Sequence, residues 1–190
     1  MLSEHVDYWN HIGWTDPFSS HEASERQNAY GRRFRLDSVY TPEMIVDGAE
    51  EFVGSDPDQA KKALTKAVAG AKVSVRISEL STNDGVLRAH VESDPLPPPT
   101  HKADVMLAVA LSHAESDVAG GENAGHRLTH VAVVRNLSKV GKIESGKAFS
   151  QDITLKLPAG IASSTLRVIA FIQGGGQGKV LGATQATISK

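Results

Sequence analysis

The sequence predicts an α/β segment followed by an antiparallel β-sandwich. Up to Gly70 apolar residues recur at helical spacing in two stretches, 22–34 and 58–69, as they do on the buried face of a helix. After Gly70 apolar and polar residues alternate in about seven stretches separated by turn residues, a number typical of a sandwich. We therefore expect two domains, one over residues 1–71 and one over residues 72–190.

The composition excludes several classes of function. A formal net charge of -2, from 20 basic and 22 acidic residues, provides no field that would attract nucleic acid or an anionic membrane. The chain has no cysteine, so it carries no disulfide, thiolate metal site or dithiol redox centre of its own. The longest apolar run, Val105 to Leu111, is far shorter than the roughly 20 residues of a membrane helix. Residues 1–5 have no export-signal pattern, which predicts a cytoplasmic location.

The α/β segment is expected to contain two helices and a hairpin. Asp16 or Ser19 can cap the first helix, with Pro17 in its first turn. An Asp-Gly turn at 47–48 joins two short strands. The second helix begins at Pro57 after a cap at Ser55 or Asp56. Four apolar residues are expected on its buried face: Ala60, Leu64, Ala67 and Val68.

The second segment reads as a series of hairpins. Asn83-Asp84-Gly85 turns the chain between two alternating stretches, and the prolines of 95–99 require an extended connection. The glycines of 174–178 form a hairpin loop, because the run lacks the spacing and the hydroxyl of a phosphate loop. The remaining strands are predicted over 105–111, 128–135, 153–157, 166–172 and 180–188.

Residues 5–18 are the best candidate for a functional surface. They hold both tryptophans, two of the eight histidines and one of the three tyrosines, in a segment with no strand or helix period. Large rings and ionisable groups in a loop suggest that the side chains line a site. The alternative is that Tyr8, Trp9 and Trp14 only pack the loop onto the core.

The ionisable groups of this segment include ligand types of a metal site. His5 and Asp7 would lie on one face of a strand, with His11 or Asp16 approaching from the loop, as nitrogen and oxygen ligands for zinc. The spacing matches no established ligand pattern, so a hydrogen-bonded histidine is favoured. No nucleophile accompanies His5, and no Gly-x-Ser-x-Gly is present. We therefore assign no catalytic residue, metal site or cofactor.

Two later groups of polar residues are expected to lie in hairpins or turns. His126 and His130 lie four apart in a stretch that reads as a strand, which favours surface or hairpin histidines. Glu122 and Asn123, between glycines, favour a turn, because no carboxylate series at calcium-loop spacing is present.

Several short motifs together resemble a bacterial secreted, thioredoxin-like family known as domain of unknown function 1223. The first group comprises His5-Val6-Asp7-Tyr8-Trp9, Gly13-Trp14, Asp16-Pro17-Phe18-Ser19, Arg26-Gln27, Tyr40-Thr41-Pro42, Val46-Asp47-Gly48 and Phe52-Val53-Gly54-Ser55. The second group comprises Gly121-Glu122-Asn123-Ala124-Gly125 and Val133-Val134-Arg135-Asn136-Leu137.

This resemblance implies that residues 1–71 are a partial thioredoxin-like domain. Family members begin with an export signal, a first strand and a Cys-x-x-Cys motif, none of which this sequence contains. The resemblance places the aromatic segment near the position of that motif, with a cis bond before Pro42 beside it. The candidate site-lining residues are His5, Asp7, Tyr8, Trp9, Trp14, Asp16, Tyr40, Thr41 and Pro42.

A thioredoxin-like sheet without its first strand leaves an open edge. Such an edge predicts strand addition by a protein or peptide partner, or by a second copy in a homodimer. Two functions follow as alternatives. The first is a binding or structural module without redox activity of its own. The second is a truncated form of an exported thiol-disulfide oxidoreductase, periplasmic or secreted, whose Cys-x-x-Cys is encoded upstream of Met1.

Overall fold

The computed structural model describes residues 1–121, 123–157 and 165–188. The fold is mostly β, with antiparallel sheets. None of the helices in these ranges is long and apolar enough to cross a membrane. The elements are α1 (His21–Phe34), β1 (Glu43–Val46), β2 (Glu50–Val53), α2 (Pro57–Ala69), β3 (Val75–Asn83), β4 (Val86–Ser93), β5 (Lys102–Asp117), β6 (Arg127–Glu144), β7 (Phe149–Lys156), β8 (Leu166–Gly174) and β9 (Val180–Thr187).

The β-sandwich consists of a three-stranded sheet, β3-β4-β7, and a four-stranded sheet, β6-β5-β8-β9. Alternate residues of both sheets form one core, in which Leu87, Leu107 and Ile172 are fully buried. The alternation of apolar residues predicted these strands because one side of each strand faces the core. The predicted hairpin turns at 83–85 and 174–178 are both confirmed.

Strands β5 and β6 are much longer than the predicted 105–111 and 128–135. Beyond Leu111, strand β5 pairs with β6 and with no other strand that the structure describes. We call this part of the two strands and their turn, residues 112–121 and 123–131, the β5–β6 arm. The arm is more polar than the core strands, which is why apolar alternation did not detect it. Residues 123–125 form the predicted turn at its tip, and Glu122 lies outside the described residues.

The N-cap of helix α1 follows its two predicted positions, by one residue for Ser19 and by four for Asp16. Ser20 is the N-cap, and its hydroxyl accepts a hydrogen bond from the Ala23 amide. The predicted caps at Asp16 and Ser19 were wrong, because both residues belong to a separate turn. In that turn Asp16 accepts from the Phe18 amide at 2.8 Å, and the Ser19 hydroxyl donates to the Asp16 carbonyl at 2.8 Å.

The β1–β2 hairpin and helix α2 form a second, smaller apolar cluster. Val46 and Phe52 of the hairpin are buried against Ala63 of the helix. The predicted turn at 47–48 and the predicted cap at Asp56 are confirmed, and Asp56 accepts from the amides at 58 and 59.

The predicted buried face of α2 was partly wrong. Leu64 is 53% exposed and Val68 is 85% exposed, whereas Ala60, Ala63 and Ala67 contact the hairpin. A two-stranded hairpin is narrow, so it covers only this row of small side chains. The periodicity of the helix cannot reveal how wide its neighbour is.

The first 20 residues contain no regular strand, although the sequence suggested one around His5 and Asp7. Instead the segment is held by isolated bridges, from Ser3 to Val133 of β6 and from Val6 to Ser20. Strand β1 pairs only with β2 among the described strands. The backbone bridges of the N-terminal segment therefore reach β6 and the residue that caps α1, and neither of them reaches the β1–β2 hairpin.

A buried polar network joins α1 to β8. Gln173, which is 3% exposed, donates to the Tyr30 hydroxyl at 2.7 Å and to the Gly178 carbonyl at 2.9 Å. Its side-chain oxygen accepts from Arg26 at 3.1 Å, and Arg26 also donates to Gln177. The helix is thus positioned on the sandwich by hydrogen bonds whose donors and acceptors come from both parts.

Candidate functional site

The aromatic loop, residues 8–16, is ordered by hydrogen bonds of its own. The Asn10 amide donates to the Asp7 carbonyl at 3.0 Å, and the Ile12 amide donates to the Trp9 carbonyl at 3.2 Å. The Asn10 side chain then closes the loop by accepting from the Asp16 amide at 3.1 Å. These hydrogen bonds fix the backbone of the loop from which the aromatic side chains extend.

One end of the loop meets the segment that leads into β1. The Trp9 indole N–H donates to the Thr41 hydroxyl at 3.1 Å, while the side chain stays 48% exposed. The Thr41–Pro42 peptide bond is cis, the isomer that the resemblance implies. The Gly54 amide donates to the Pro42 carbonyl at 2.8 Å, and the adjacent Val53 is 45% exposed. We call this strip of Trp9, Thr41, Pro42 and Val53 the Trp9 surface.

The other end of the loop rests on the tip of the β5–β6 arm. A Cβ atom at Gly120 would lie 2.8 Å from the Gly13 carbonyl oxygen and 3.4 Å from the Trp14 amide nitrogen. Because such a distance is too short for a side chain, the loop and the arm touch backbone to backbone at this point. Trp14 itself is partly buried.

Gln27 of α1 links the predicted tyrosines beneath the Trp9 surface. Its side-chain oxygen accepts from the Tyr8 hydroxyl at 2.9 Å, and its side-chain nitrogen donates to the Tyr40 carbonyl at 2.7 Å. The same nitrogen donates to Glu43 Oε2 at 2.7 Å. A single residue of α1 therefore holds the loop, the segment before β1 and the first residue of β1 together.

Two carboxyl groups of the hairpin lie here without a cationic partner. Glu43 Oε1 is buried with no hydrogen-bond partner, and Glu51 accepts a hydrogen bond from the Tyr40 hydroxyl. No Lys or Arg forms an ion pair with either carboxyl within the described ranges. Burial raises the pKa of Glu43 despite the Gln27 hydrogen bond, and the Glu51 charge raises it further. Burial and the bond to Glu51 also raise the pKa of Tyr40.

A second group, the His5–His130 cluster, lies on the other side of the loop. His5 Nδ1 is 2.6 Å from Asp16 Oδ2, and the His5 and His130 rings are 4.8 Å apart. Phe18 contacts both rings edge-on, and His130 Nε2 is 2.8 Å from the Ser116 hydroxyl. His130 lies on the β5–β6 hairpin, one of the two predicted alternatives, and it is partly buried because the β5–β6 arm lies against the N-terminal segment. His126, by contrast, is exposed as predicted.

The electrostatics of this cluster favour an uncharged His130. Burial lowers its pKa, and the neighbouring His5 charge lowers it further, against the attraction of Asp16. Burial opposes ionisation of Asp16 too, but the His5 and Phe18 hydrogen bonds outweigh it and lower the Asp16 pKa. Ser116 is buried and bonds to His130, whereas Asp16 bonds to the other histidine, His5. The cluster consequently lacks the hydroxyl, imidazole and carboxylate alignment of a hydrolase.

The predicted site residues therefore separate into groups. Tyr8, Trp9, Tyr40, Thr41 and Pro42 meet at the Trp9 surface, whereas His5 and Asp16 belong to the His5–His130 cluster. Asp7 accepts from the Ser24 hydroxyl at 2.5 Å and lies 3.4 Å from His21. No group of three His, Asp or Glu residues suited to holding a metal ion is found among the described residues.

Sequence reasoning did not assign Gln27, Glu43, Val53 or His130 to the site. Gln27 and Val53 were present in motifs that carry the resemblance, and that was the only available signal for them. Glu43 and Val53 are the end residues of the hairpin, where the pattern reads as ordinary strand ends. His130 required knowledge of long-range packing, which one sequence does not contain.

Fold and site together define a β-sandwich protein with an N-terminal α/β segment and an exposed aromatic surface. The chain matches the family described as proteins of unknown function, DUF1223, over residues 1–173, and it belongs to that family. No curated protein is significantly similar to it.

Two solved structures are similar to this chain. Protein AGR_C_4864 from Agrobacterium tumefaciens is 23% identical, with a TM-score of 0.72 over 100% of this chain and 80% of that chain. A domain of the outer membrane lipoprotein Omp28 from Porphyromonas gingivalis is 14% identical, with a TM-score of 0.41 over 63% of this chain and 89% of that chain. The first likeness establishes a shared fold.

Proposed function

We propose that this protein is a binding module that takes up an extended protein or peptide segment at the Trp9 surface. The observation that carries the proposal is the state of Trp9, which is half-exposed yet held by its hydrogen bond to Thr41. A large ring that is both fixed and accessible offers contact area at low entropic cost. The start of β1 lies beside it, and the outer edge of β1 has no ladder partner among the described strands.

Selection from a display library of random linear peptides, against the full chain, tests this proposal. Enriched peptides are expected to bind the wild type and to lose at least about tenfold in affinity with Trp9→Ala, as truncation of an aromatic anchor does. Ile12→Ala is the matched control, because Ile12 is 44% exposed on the same loop and has no contact with Thr41 among the hydrogen bonds described.

Two results would reject the binding module. One is the absence of any enriched peptide that binds the purified chain. The other is enriched peptides whose affinity is the same for the wild type and Trp9→Ala. A loss with Ile12→Ala equal to that with Trp9→Ala would place binding elsewhere on the loop, and it would also count against the Trp9 surface.

A second candidate is thiol-disulfide exchange by a longer, exported product with a thioredoxin-like domain. It is supported by the resemblance and by the open edge of β1, where a further strand of such a sheet would pair. The chain itself has no cysteine, so the purified protein is not expected to reduce insulin disulfides. Translation of the DNA upstream of Met1 tests this candidate: an in-frame Cys-x-x-Cys supports it, and its absence counts against it.

A further inference from the structure

The outer edge of β1 is available for backbone pairing. Strand β1 forms a ladder with β2 only, from Glu43 opposite Val53 to Val46 opposite Glu50. No other strand in the described ranges pairs with it. A two-stranded hairpin is marginal by itself, and an open edge can accept a third strand from another chain.

The register determines which side chains a third strand would meet. Successive residues of a strand point to opposite faces, so Glu43 and Ile45 share a face with their cross-strand partners Val53 and Glu51. Met44 and Val46 point the other way, toward α2. An added strand would therefore place every second side chain beside the two carboxyl groups.

This face of the hairpin carries negative charge without compensation. Neither Glu43 nor Glu51 forms an ion pair within the described residues, and Glu43 Oε1 is buried with no hydrogen-bond donor. A buried carboxylate oxygen without a partner is costly. Glu50, on the opposite face, already has Lys66 as its partner. A cation from outside the chain would remove the cost at Glu43.

We infer that the outer edge of β1 binds an extended segment bearing a Lys or Arg side chain, whose cationic group pairs with Glu43 and Glu51. This inference rests on the proposed function and adds the charge of the partner to it. The segment forms a third strand of the hairpin through main-chain hydrogen bonds. The residues on either side of the cationic one point to the opposite face of the hairpin, toward α2, and the half-exposed Trp9 ring beside the start of β1 also favours a cation.

A matched pair of peptides tests the inference on the full chain. The first is the acetylated and amidated peptide Ser-Thr-Val-Lys-Val-Thr-Ser, and the second has Gln in place of Lys. Titration followed by two-dimensional nitrogen-proton NMR gives the affinity and the site together. We expect shifts at the amides of 43–46 and at the Trp9 indole, with the Lys peptide binding at least about tenfold tighter, as a desolvated charge pair allows.

Site variants identify the groups responsible for the preference. The double variant Glu43→Gln with Glu51→Gln is expected to bind both peptides equally. Glu50→Gln is the control, because it removes a carboxyl of the same hairpin from the opposite face, and the Lys preference is expected to persist. Retained preference in the double variant overturns the inference. A circular-dichroism melt of each variant confirms that it is folded.

The outcomes separate this inference from the function on which it rests. Equal affinity of both peptides for the wild type, with shifts at the Trp9 indole, rejects the cationic partner and leaves the binding module standing. Absence of any shift with either peptide overturns the inference, while the library selection still decides the binding module. A third peptide, methylated at the backbone nitrogens of both the Lys and the second Val, is expected to lose binding, because consecutive N–H groups point to opposite sides of a strand and one of the two must face β1 in either strand direction. Unchanged binding of that peptide overturns strand addition.

Discussion

At the scale of single residues, burial shifts the pKa in opposite directions for two groups on either side of the aromatic loop. Glu43 is a carboxyl group whose burial raises its pKa, whereas His130 is an imidazole whose burial lowers its pKa. In each case burial disfavours the charged form, because the surroundings solvate it less well than water does. Protonation at low pH therefore removes an unfavourable buried charge at Glu43 and creates one at His130.

The free-energy cost of charging His130 should be measurable as a dependence of the protein's stability on pH. Its lowered pKa means that the unfolded chain binds this proton more readily, so its contribution to stability is present above about pH 6.5 and declines as the pH falls through that value. We expect His130→Gln, which retains a hydrogen-bonding group toward Ser116, to lose less stability than the wild type between pH 7 and pH 5. Urea unfolding at several pH values measures the difference.

The control for this measurement is His126→Gln, an exposed histidine of the same strand region. Its stability is expected to follow the wild-type pH profile. If both variants flatten the profile equally, the effect does not arise from the packing of His130 against His5.

The residue types of the site were visible in the sequence, but their partners were not. Trp9, Thr41 and Pro42 were predicted together through the resemblance, and Trp9 does bond to Thr41. Asp16 was considered as a helix cap or a metal ligand, yet it pairs with His5 at 2.6 Å. Which of several nearby groups forms a short hydrogen bond depends on backbone geometry that periodicity does not specify.

At the scale of elements, the local signals predicted most of the structure. Asp-Gly turns, proline at a helix start and alternating strands act within a few residues, and they placed the hairpins and α2 correctly. The errors occurred where an element meets a distant neighbour. Leu64 is exposed because the hairpin is narrow, and the β5–β6 arm was missed because it lies outside the core.

Helix α2 has one face packed on the hairpin and one face exposed, which leads to a prediction about stability. Phe52→Ala should cost about 3–5 kcal/mol, because Phe52 is 5% exposed in the small apolar cluster. Leu64→Ala should change stability by less than about 0.5 kcal/mol, since Leu64 is largely solvated. Urea denaturation of both variants compares the two faces. A cost at Leu64 close to that at Phe52 would show that this face is covered in solution.

The contact between the arm and the aromatic loop can be tested with one methyl group. Gly120→Ala would place its Cβ 2.8 Å from the Gly13 carbonyl oxygen, so the loop must shift. We expect a loss of about 1–3 kcal/mol, typical of overpacking, and a change in intrinsic fluorescence, because both tryptophans lie in the loop.

Gly175→Ala provides the comparison for that experiment. No atom lies within 4 Å of a Cβ at Gly175, so both stability and fluorescence should remain close to the wild type. Fluorescence of Gly120→Ala identical to the wild type would mean that the arm does not position the loop.

At the scale of the whole molecule, the α/β segment and the sandwich are joined by polar contacts that no local pattern indicates. Sequence analysis placed a boundary after residue 71, where the periodicity changes. The structure adds a hydrogen bond across that boundary, from the Val180 amide to the Asp47 carbonyl at 2.7 Å. Residues far apart in the chain thus meet, which a single sequence cannot reveal.

The Gln173 network is the most sensitive of these contacts. Gln173→Ala would leave the Tyr30 hydroxyl and the Gly178 carbonyl without their buried partner and would remove one acceptor from Arg26. We expect a loss of about 1–3 kcal/mol, measured by urea unfolding. Gln185→Ala, at an exposed position of β9, should be nearly neutral. Equal stability of the two variants would contradict a structural role for the network.

Gly182 sets a condition on any exchange of the last hairpin. A side chain at this position of β9 would collide with the Val73 carbonyl, so the bare backbone of β9 is fitted to the residue two positions before β3. A last hairpin grafted from a homologue should therefore be tolerated only when the donor also has glycine at the position of Gly182.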